Sequence, residues 1–178
     1  MFTLRASYKS IMVYRLSKFF LLILFFFALD QISKNIIIQL YNIDVENLSS
    51  QFLTSINEYV NLYLIWNKGF AFGLFQNDIR TVNNIYMILM AVIIVVVFIY
   101  ALTINSKVYY YGFSLIIGGA LGNLFDRYQY AAVLDFIDVH YNNFHWYVFN
   151  IADINITLGC ILIIILELFS NKKKKNEI

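Results

Sequence analysis

Four long apolar runs, separated by two polar and aromatic-rich intervals, predict a membrane-embedded all-α bundle of four transmembrane helices. A small extracytoplasmic β-sheet and a second outer loop complete the predicted fold, as one integral membrane domain over 1–178. Composition agrees: the 178 residues are 61% hydrophobic and only 13% charged, whereas a soluble domain is close to half apolar and a quarter charged. The charges are also sided. Arg5, Lys9, Arg15, Lys18, Lys107 and Lys172-Lys173-Lys174-Lys175 fall on one side of four alternating spans, which makes both termini cytoplasmic.

The first span is read over 19–40. Its opening run, 19–29, is shorter than the roughly 20 residues a bilayer requires, so it must continue through Asp30-Gln31-Ile32-Ser33-Lys34. Asp30 and Lys34 then lie one turn apart in the acid-before-base order that favours pairing, which suits a bundle interior and not lipid. The basic segment 1–18 is expected to be a cytoplasmic N-terminus. No small-x-small cleavage site follows before Asp30, so the first span is expected to be retained rather than removed as a signal peptide. Residues 41–84 form an outer segment. Its stretch 58–66 is rich in β-formers, and Asn67-Lys68-Gly69 gives a turn signal before 70–75, so a short hairpin or small sheet is expected with its apolar face on the bilayer surface.

The second span is 85–104 and the third 108–127, with small residues in Gly118-Gly119-Ala120-Leu121-Gly122 that let helices approach closely in lipid. An outer loop over 128–148 carries Tyr141, Phe144, Trp146 and Tyr147, as an interfacial aromatic belt does. The fourth span is 149–169, followed by a cytoplasmic tail over 170–178, whose lysine run is a membrane anchor rather than a nucleic-acid patch. The single cysteine, Cys160, has no partner for a disulfide and is expected to be a small buried hydrophobe.

Two aspartates carry the chemistry. Asp126 closes the third run and Asp153 opens the fourth; both belong to the outer edge of the membrane, where a hairpin of antiparallel helices brings them together. A carboxylate at mid-helix costs about 2.5–3.5 kcal/mol on insertion scales, so one retained there is usually functional. Each has an amide three residues earlier, Asn123 and Asn150, able to orient the carboxylate or hold substrate backbone. Two such acids in a partly desolvated pocket share one proton, so one activates water while the other polarises a carbonyl. Arg127 can bind a substrate carbonyl or tie down the outer loop.

Other chemistries lack parts. His140 and His145 do not share a helical face, and no cysteine or nearby acid cluster completes a zinc set, so no metal or cofactor is expected. No histidine lies within a span, which removes a serine–histidine intramembrane protease. A proton-coupled transporter would place acids at several depths, and a structural subunit would use them only to pair with Lys34 or Arg127. The acids cluster instead at one edge.

Five blocks resemble the lipoprotein signal peptidase (signal peptidase II) family over nearly the whole chain. They are Asp30-Gln31-x-x-Lys34, Asn67-x-Gly69-x-Ala71-Phe72-Gly73, Gly118-Gly119-Ala120-x-Gly122-Asn123-x-x-Asp126-Arg127, Val133-x-Asp135-Phe136 and Phe149-Asn150-x-Ala152-Asp153. The resemblance implies four transmembrane helices with an outer β-cradle, and an aspartic endopeptidase that cuts diacylglyceryl-modified prolipoproteins just before the lipidated cysteine. It implies Asp126 and Asp153 as the catalytic pair. Asn123, Arg127 and Asn150 are matching site-lining positions, with Asn67 and Gly69 on the cradle. Asp30 and Lys34 support the fold or site, and Asp135 is assigned to steadying the outer loop. The partners implied are prolipoproteins, membrane lipids and globomycin-type inhibitors, with no nucleic acid and a monomeric enzyme. Asn155 departs from the small residues more usual after the last aspartate.

Overall fold

The computed structural model describes residues 2–46, 48, 53–69, 80–104 and 106–175. Its elements run α1 (Phe2–Leu40), β1 (Leu53–Ser55), β2 (Val60–Asn67), α2 (Arg80–Thr103), α3 (Lys107–Tyr130), β3 (Val133–Tyr141), β4 (Phe144–His145) and α4 (Ile151–Lys175). Among the described residues, four helices are long and apolar enough to cross a membrane, over Val13–Leu40, Arg80–Thr103, Lys107–Tyr130 and Ile151–Phe169. The backbone of α1 is helical from Phe2, so the basic leader continues the helix. The helix α2 takes in Asn83, which lies before the apolar run that the sequence marks as the span.

The third helix is the centre of the bundle, packing most extensively on α4 and then on α1 and α2. Two adjacent glycines allow this on two sides at once. A Cβ on Gly118 would meet Phe26 Cβ and the Ile23 carbonyl of α1, at 2.7 and 2.8 Å, whereas one on Gly119 would meet the Ala152 carbonyl of α4. Close backbone approach through small residues is how helices associate where lipid removes the hydrophobic drive. Away from the sheet, Phe19 and Ile23 of α1 pack with Ala101 of α2 and Phe113 and Ile117 of α3. Along the middle of α2 the outward side chains, among them Ile88, Val92, Val96 and Ile99, are exposed and apolar, as suits a lipid-facing surface.

Cys160 is exposed on α4 rather than buried. The reason is general to a thin bundle: each helix turns much of its apolar surface to lipid, so an apolar residue is no more suited to the interior than to the periphery.

The sheet is four-stranded and antiparallel, in the order β1-β2-β3-β4. The 58–66 stretch does supply a strand, but its described partners are β1 and β3. The expected partner at 70–75 lies outside the described residues, as do Ala71, Phe72 and Gly73. Strand β3 comes from the interval expected as a loop. Residues 144–149 then run back along it, with Trp146 N–H donating to the Val139 carbonyl at 2.8 Å and Ile137 N–H to Phe149 at 2.8 Å. Ile37 of α1 joins Leu64, Trp66, Leu134 and Phe136 in a core that seats the sheet on the helix ends.

A bulge between β2 and β3 sets Tyr63 and Leu64 against Phe136 alone, because Leu62 faces Ile137 while Ile65 faces Asp135. Such a bulge changes which side chains face which side of the sheet. Helix α3 ends abruptly at Ala131, whose φ of 56° and ψ of 15° are left-handed and whose N–H caps the Arg127 carbonyl. A residue with a Cβ pays about 1–2 kcal/mol for that conformation, which glycine avoids. Ala131→Gly is expected to stabilise the protein by up to about 1 kcal/mol after its extra unfolded-chain entropy is counted, seen as a higher thermal midpoint in detergent.

Candidate active site

The start of α4 is a reciprocal cap. Asn150 Oδ1 accepts the Asp153 backbone N–H at 3.0 Å, and Asp153 Oδ2 accepts the Asn150 backbone N–H at 3.2 Å. This is the capping-box exchange with aspartate in place of glutamate. The Asn-x-x-Asp spacing therefore starts a helix and fixes a carboxylate in one step. The other Asp153 oxygen accepts Asn123 Nδ2 at 2.9 Å.

Asn150 is fully buried and reaches a second carboxylate. Its Nδ2 donates to Asp135 Oδ1 at 2.6 Å, while Asn67 Nδ2 donates to Asp135 Oδ2 at 2.9 Å. Asn67 can do so because it pairs with Val133 across the ladder, which makes Asp135 its diagonal neighbour on the same face. The Asn67 Oδ1 accepts Gly69 N–H at 2.9 Å, and the Gly69 carbonyl accepts a hydrogen bond from Arg127 Nη2. Arg127 is buried over the Tyr86 ring at 5.3 Å and contacts Asn83, so it ties the segment after β2 to α2 and α3.

Asp135, Asp153, Asn67, Asn123 and Arg127 all line one cavity of about 610 Å³. Its walls are apolar, with Met90 and Ile93 of α2, Ile116 of α3 and Ile156 of α4, and Trp146 and Tyr147 border it from the sheet side. A larger cavity of about 830 Å³ lies among α1, α2 and α3, but its lining holds no carboxylate. Of the two, the smaller is the one lined by carboxylates.

Asp126 is absent from that lining. It is 1% exposed and turned toward α1, where its Oδ2 lies 2.7 Å from Lys34 Nζ and accepts Leu134 N–H at 3.1 Å. Its Oδ1 accepts Gln31 Nε2 at 2.9 Å. Asp126, the expected neighbour of Asp153, thus faces away from the groove, and the second carboxylate lining it is Asp135. Residues three apart on a helix sit roughly 60° apart around it, enough for Asn123 to face the groove while Asp126 faces α1. Asp135, which the family resemblance assigns to steadying the outer loop, lies on β3 and faces the groove. The available signal was an acid inside the apolar run Val133-Leu134-Asp135-Phe136-Ile137.

The buried ammonium of Lys34 has three acceptors for its three protons: Asp30 at 2.7 Å, Asp126 at 2.7 Å and Asn123 Oδ1 at 3.1 Å. Asp30 in turn accepts the Ala152 N–H of α4 at 2.8 Å, and Gly122 leaves it room, since a Cβ there would collide with its carboxylate. Asn155 is turned from the groove and reaches the Phe26 carbonyl at 3.4 Å, an α1–α4 contact. Burial, helped by the facing charge of Asp153, pushes the Asp135 carboxyl up to about 8 against the opposing amide hydrogen bonds and the Lys34 charge. His140 and His145, for which no metal role is expected from their spacing, stand beside Asp138.

A family model described as signal peptidase (SPase) II matches residues 22–169. The chain belongs to the signal peptidase II family. Relatives named lipoprotein signal peptidase include that of Pelagibacter ubique, 46% identical over 88% of this chain and 90% of that protein. That of Anaplasma phagocytophilum is 42% identical over 79% and 85%. A solved bacterial membrane enzyme superposes with a TM-score of 0.66 at 29% identity, covering 89% of this chain and 92% of its own. As a signal peptidase II, the chain is an aspartic-type endopeptidase and a multi-pass bacterial membrane protein. Membership removes the transporter and structural-subunit readings.

Two outcomes follow for this signal peptidase II. Removing one member of a buried ion cluster strands its partners at about 3–5 kcal/mol. Lys34→Met should thus lower the thermal midpoint sharply, with Lys34→Met/Asp126→Asn recovering part of the loss. For Asp135 the folded value lies above the ordinary 3.8, so the folded state holds the proton more tightly. Its contribution to stability is complete below about pH 4 and is lost as pH rises to about 8. Asp135→Asn should flatten that part of the stability profile, measured as thermal midpoint against pH.

Proposed function

We propose that this chain removes the signal peptide of diacylglyceryl-modified prolipoproteins, cutting before the lipidated cysteine, with Asp135 and Asp153 as its catalytic pair. The observation that carries the reading is the shared groove. Two carboxylates held by three asparagines border a cavity whose other walls are mostly apolar side chains of α2, α3 and α4 and of the outer segments.

The chemistry needs one proton between the pair. Asp135, raised to about 8, carries it at neutral pH and hydrogen-bonds the scissile carbonyl oxygen. Ionised Asp153 takes a proton from a water, whose oxygen adds to the carbonyl carbon. The tetrahedral intermediate collapses with cleavage of the C–N bond; Asp153 passes its proton to the leaving amine, and the pair regains its single shared proton. Asn67, Asn123 and Asn150 hold the two carboxylates in register. Arg127 fixes Gly69 beside them, and Asp30, Lys34 and Asp126 lock α1 and α3 behind Asn123.

Substrate geometry fits this placement. Acyl chains of the modified cysteine would lie along Met90, Ile93, Ile116 and Ile156, so membrane depth selects the bond. Globomycin-type inhibitors would compete for the same groove. The lysine and arginine asymmetry supports cytoplasmic termini and a sheet on the outer face, and the chain is expected to act as a monomer.

A gel-shift cleavage assay in detergent with a diacylglyceryl-modified prolipoprotein tests the assignment. Asp135→Asn and Asp153→Asn should each reduce turnover at least about a hundredfold in folded protein. Asp126→Asn should lower yield but lose far less turnover per folded molecule. Wild-type cleavage should fall as pH rises through about 8, where Asp135 loses its proton. Full activity in Asp135→Asn with none in Asp126→Asn would return the pair to Asp126 and Asp153; a folded wild type that never cuts would sink the substrate reading.

A further inference from the structure

The β3–β4 hairpin brings three metal-binding side chains to one face at the far end of the sheet from Asp135. Asp138 and His140 are two apart on β3 and so project from the same side. His145 is directly opposite His140 in the β3–β4 register, and their rings stack at 5.0 Å with 16° between planes. One donor atom from each of Asp138, His140 and His145 lies within 4.8 Å of the others. We propose that Asp138, His140 and His145 form a site for a divalent cation of the Zn²⁺ class, separate from the carboxylate pair, that clasps the β3–β4 hairpin.

The donor set suits the ion. Two imidazoles and one carboxylate are established zinc ligands, and three protein ligands leave a fourth position to water. Zinc bonds of about 2.0–2.1 Å in tetrahedral geometry require donors roughly 3.3 Å apart. The Asp138–His145 pair already stands at 2.9 Å, sharing a hydrogen that a metal would replace. The His145 side chain is 53% exposed and that of Asp138 2% exposed, so the imidazole is free to turn while the carboxylate stays fixed. Asn61 Nδ2 holds Asp138 Oδ2 at 3.0 Å and contacts His140 Nδ1 at 3.2 Å, orienting two of the three donors from the neighbouring strand. Outer-shell contacts of this kind are what set ligand orientation at metal sites. The His140 N–H is bound to the Tyr59 carbonyl at 2.9 Å, which anchors the backbone beneath it.

The position gives the clasp a consequence. His145 is followed at once by Trp146 and Tyr147, which border the groove holding Asp135 and Asp153. A metal between β3 and β4 would hold that border of the groove in place without touching the reacting carboxylates.

The test is direct binding to the tag-free full-length chain in detergent. Zn²⁺ is titrated in competition with a chromophoric chelator, and Co²⁺ absorption reports the coordination. Wild type should take up one Zn²⁺ per chain. His145→Gln should weaken it at least about tenfold, the scale on which even outer-shell changes act, and His140→Gln/His145→Gln should abolish it. Asp135→Asn should leave it unchanged. His145 is exposed, so its variant keeps the test independent of folding. No uptake by wild type, or equal uptake by the double histidine variant, overturns the site and leaves the Asp138–His145 hydrogen bond as a structural contact only.

Discussion

A lysine buried where three helices meet organises the sheet end of this bundle. Lys34 Nζ satisfies Asp30 on its own helix, then Asp126 and Asn123 on α3. Asp30 carries the connection on to the Ala152 N–H of α4. In a low-dielectric interior each of these groups is costly alone and tolerable only when fully paired. The cluster therefore specifies one relative placement of α1, α3 and α4, and Asn123, which accepts from Lys34 and donates to Asp153, transmits that placement to the groove.

Asn150 does the same for the sheet. Its side chain caps α4 through the Asp153 N–H and donates to Asp135 on β3, so one residue sets the start of a helix and spans both carboxylates. The bulge opposite Phe136 and the diagonal reach of Asn67 complete the hold on Asp135. Two acids on unlike elements are thus positioned by amides alone, which donate hydrogen bonds without bringing a charge that would neutralise the pair.

The helices were legible because span length and sided charge are strong constraints, and Asp30 with Lys34 followed from one-turn spacing. The family blocks contain Asn67, Asn123, Asp135 and Asp153, which line one groove. What failed to read through was rotation and strand pairing. Asn123 and Asp126 look equivalent on a helical wheel drawn coarsely, yet roughly 60° of rotation sends one to the groove and the other to Lys34. Strand β3 buries Val133 through Phe136 in succession, so it lacks the alternation that announces a strand, and Asp135 passed for a loop residue. The same blindness to register hid Asp138 beside His140 and His145. Cys160 misled for a different reason: in lipid, apolar does not mean interior.

The central claim is that Asp135 and Asp153 form one electrostatically coupled, singly protonated pair. Isotope-edited infrared spectroscopy of the Asp135 carboxyl across pH, in wild type and in Asp153→Asn, measures this most directly. The account predicts a wild-type midpoint near pH 8 that moves to lower pH when the Asp153 charge is removed. An Asp135 carboxyl already ionised throughout the neutral range, or a midpoint indifferent to Asp153, would contradict it.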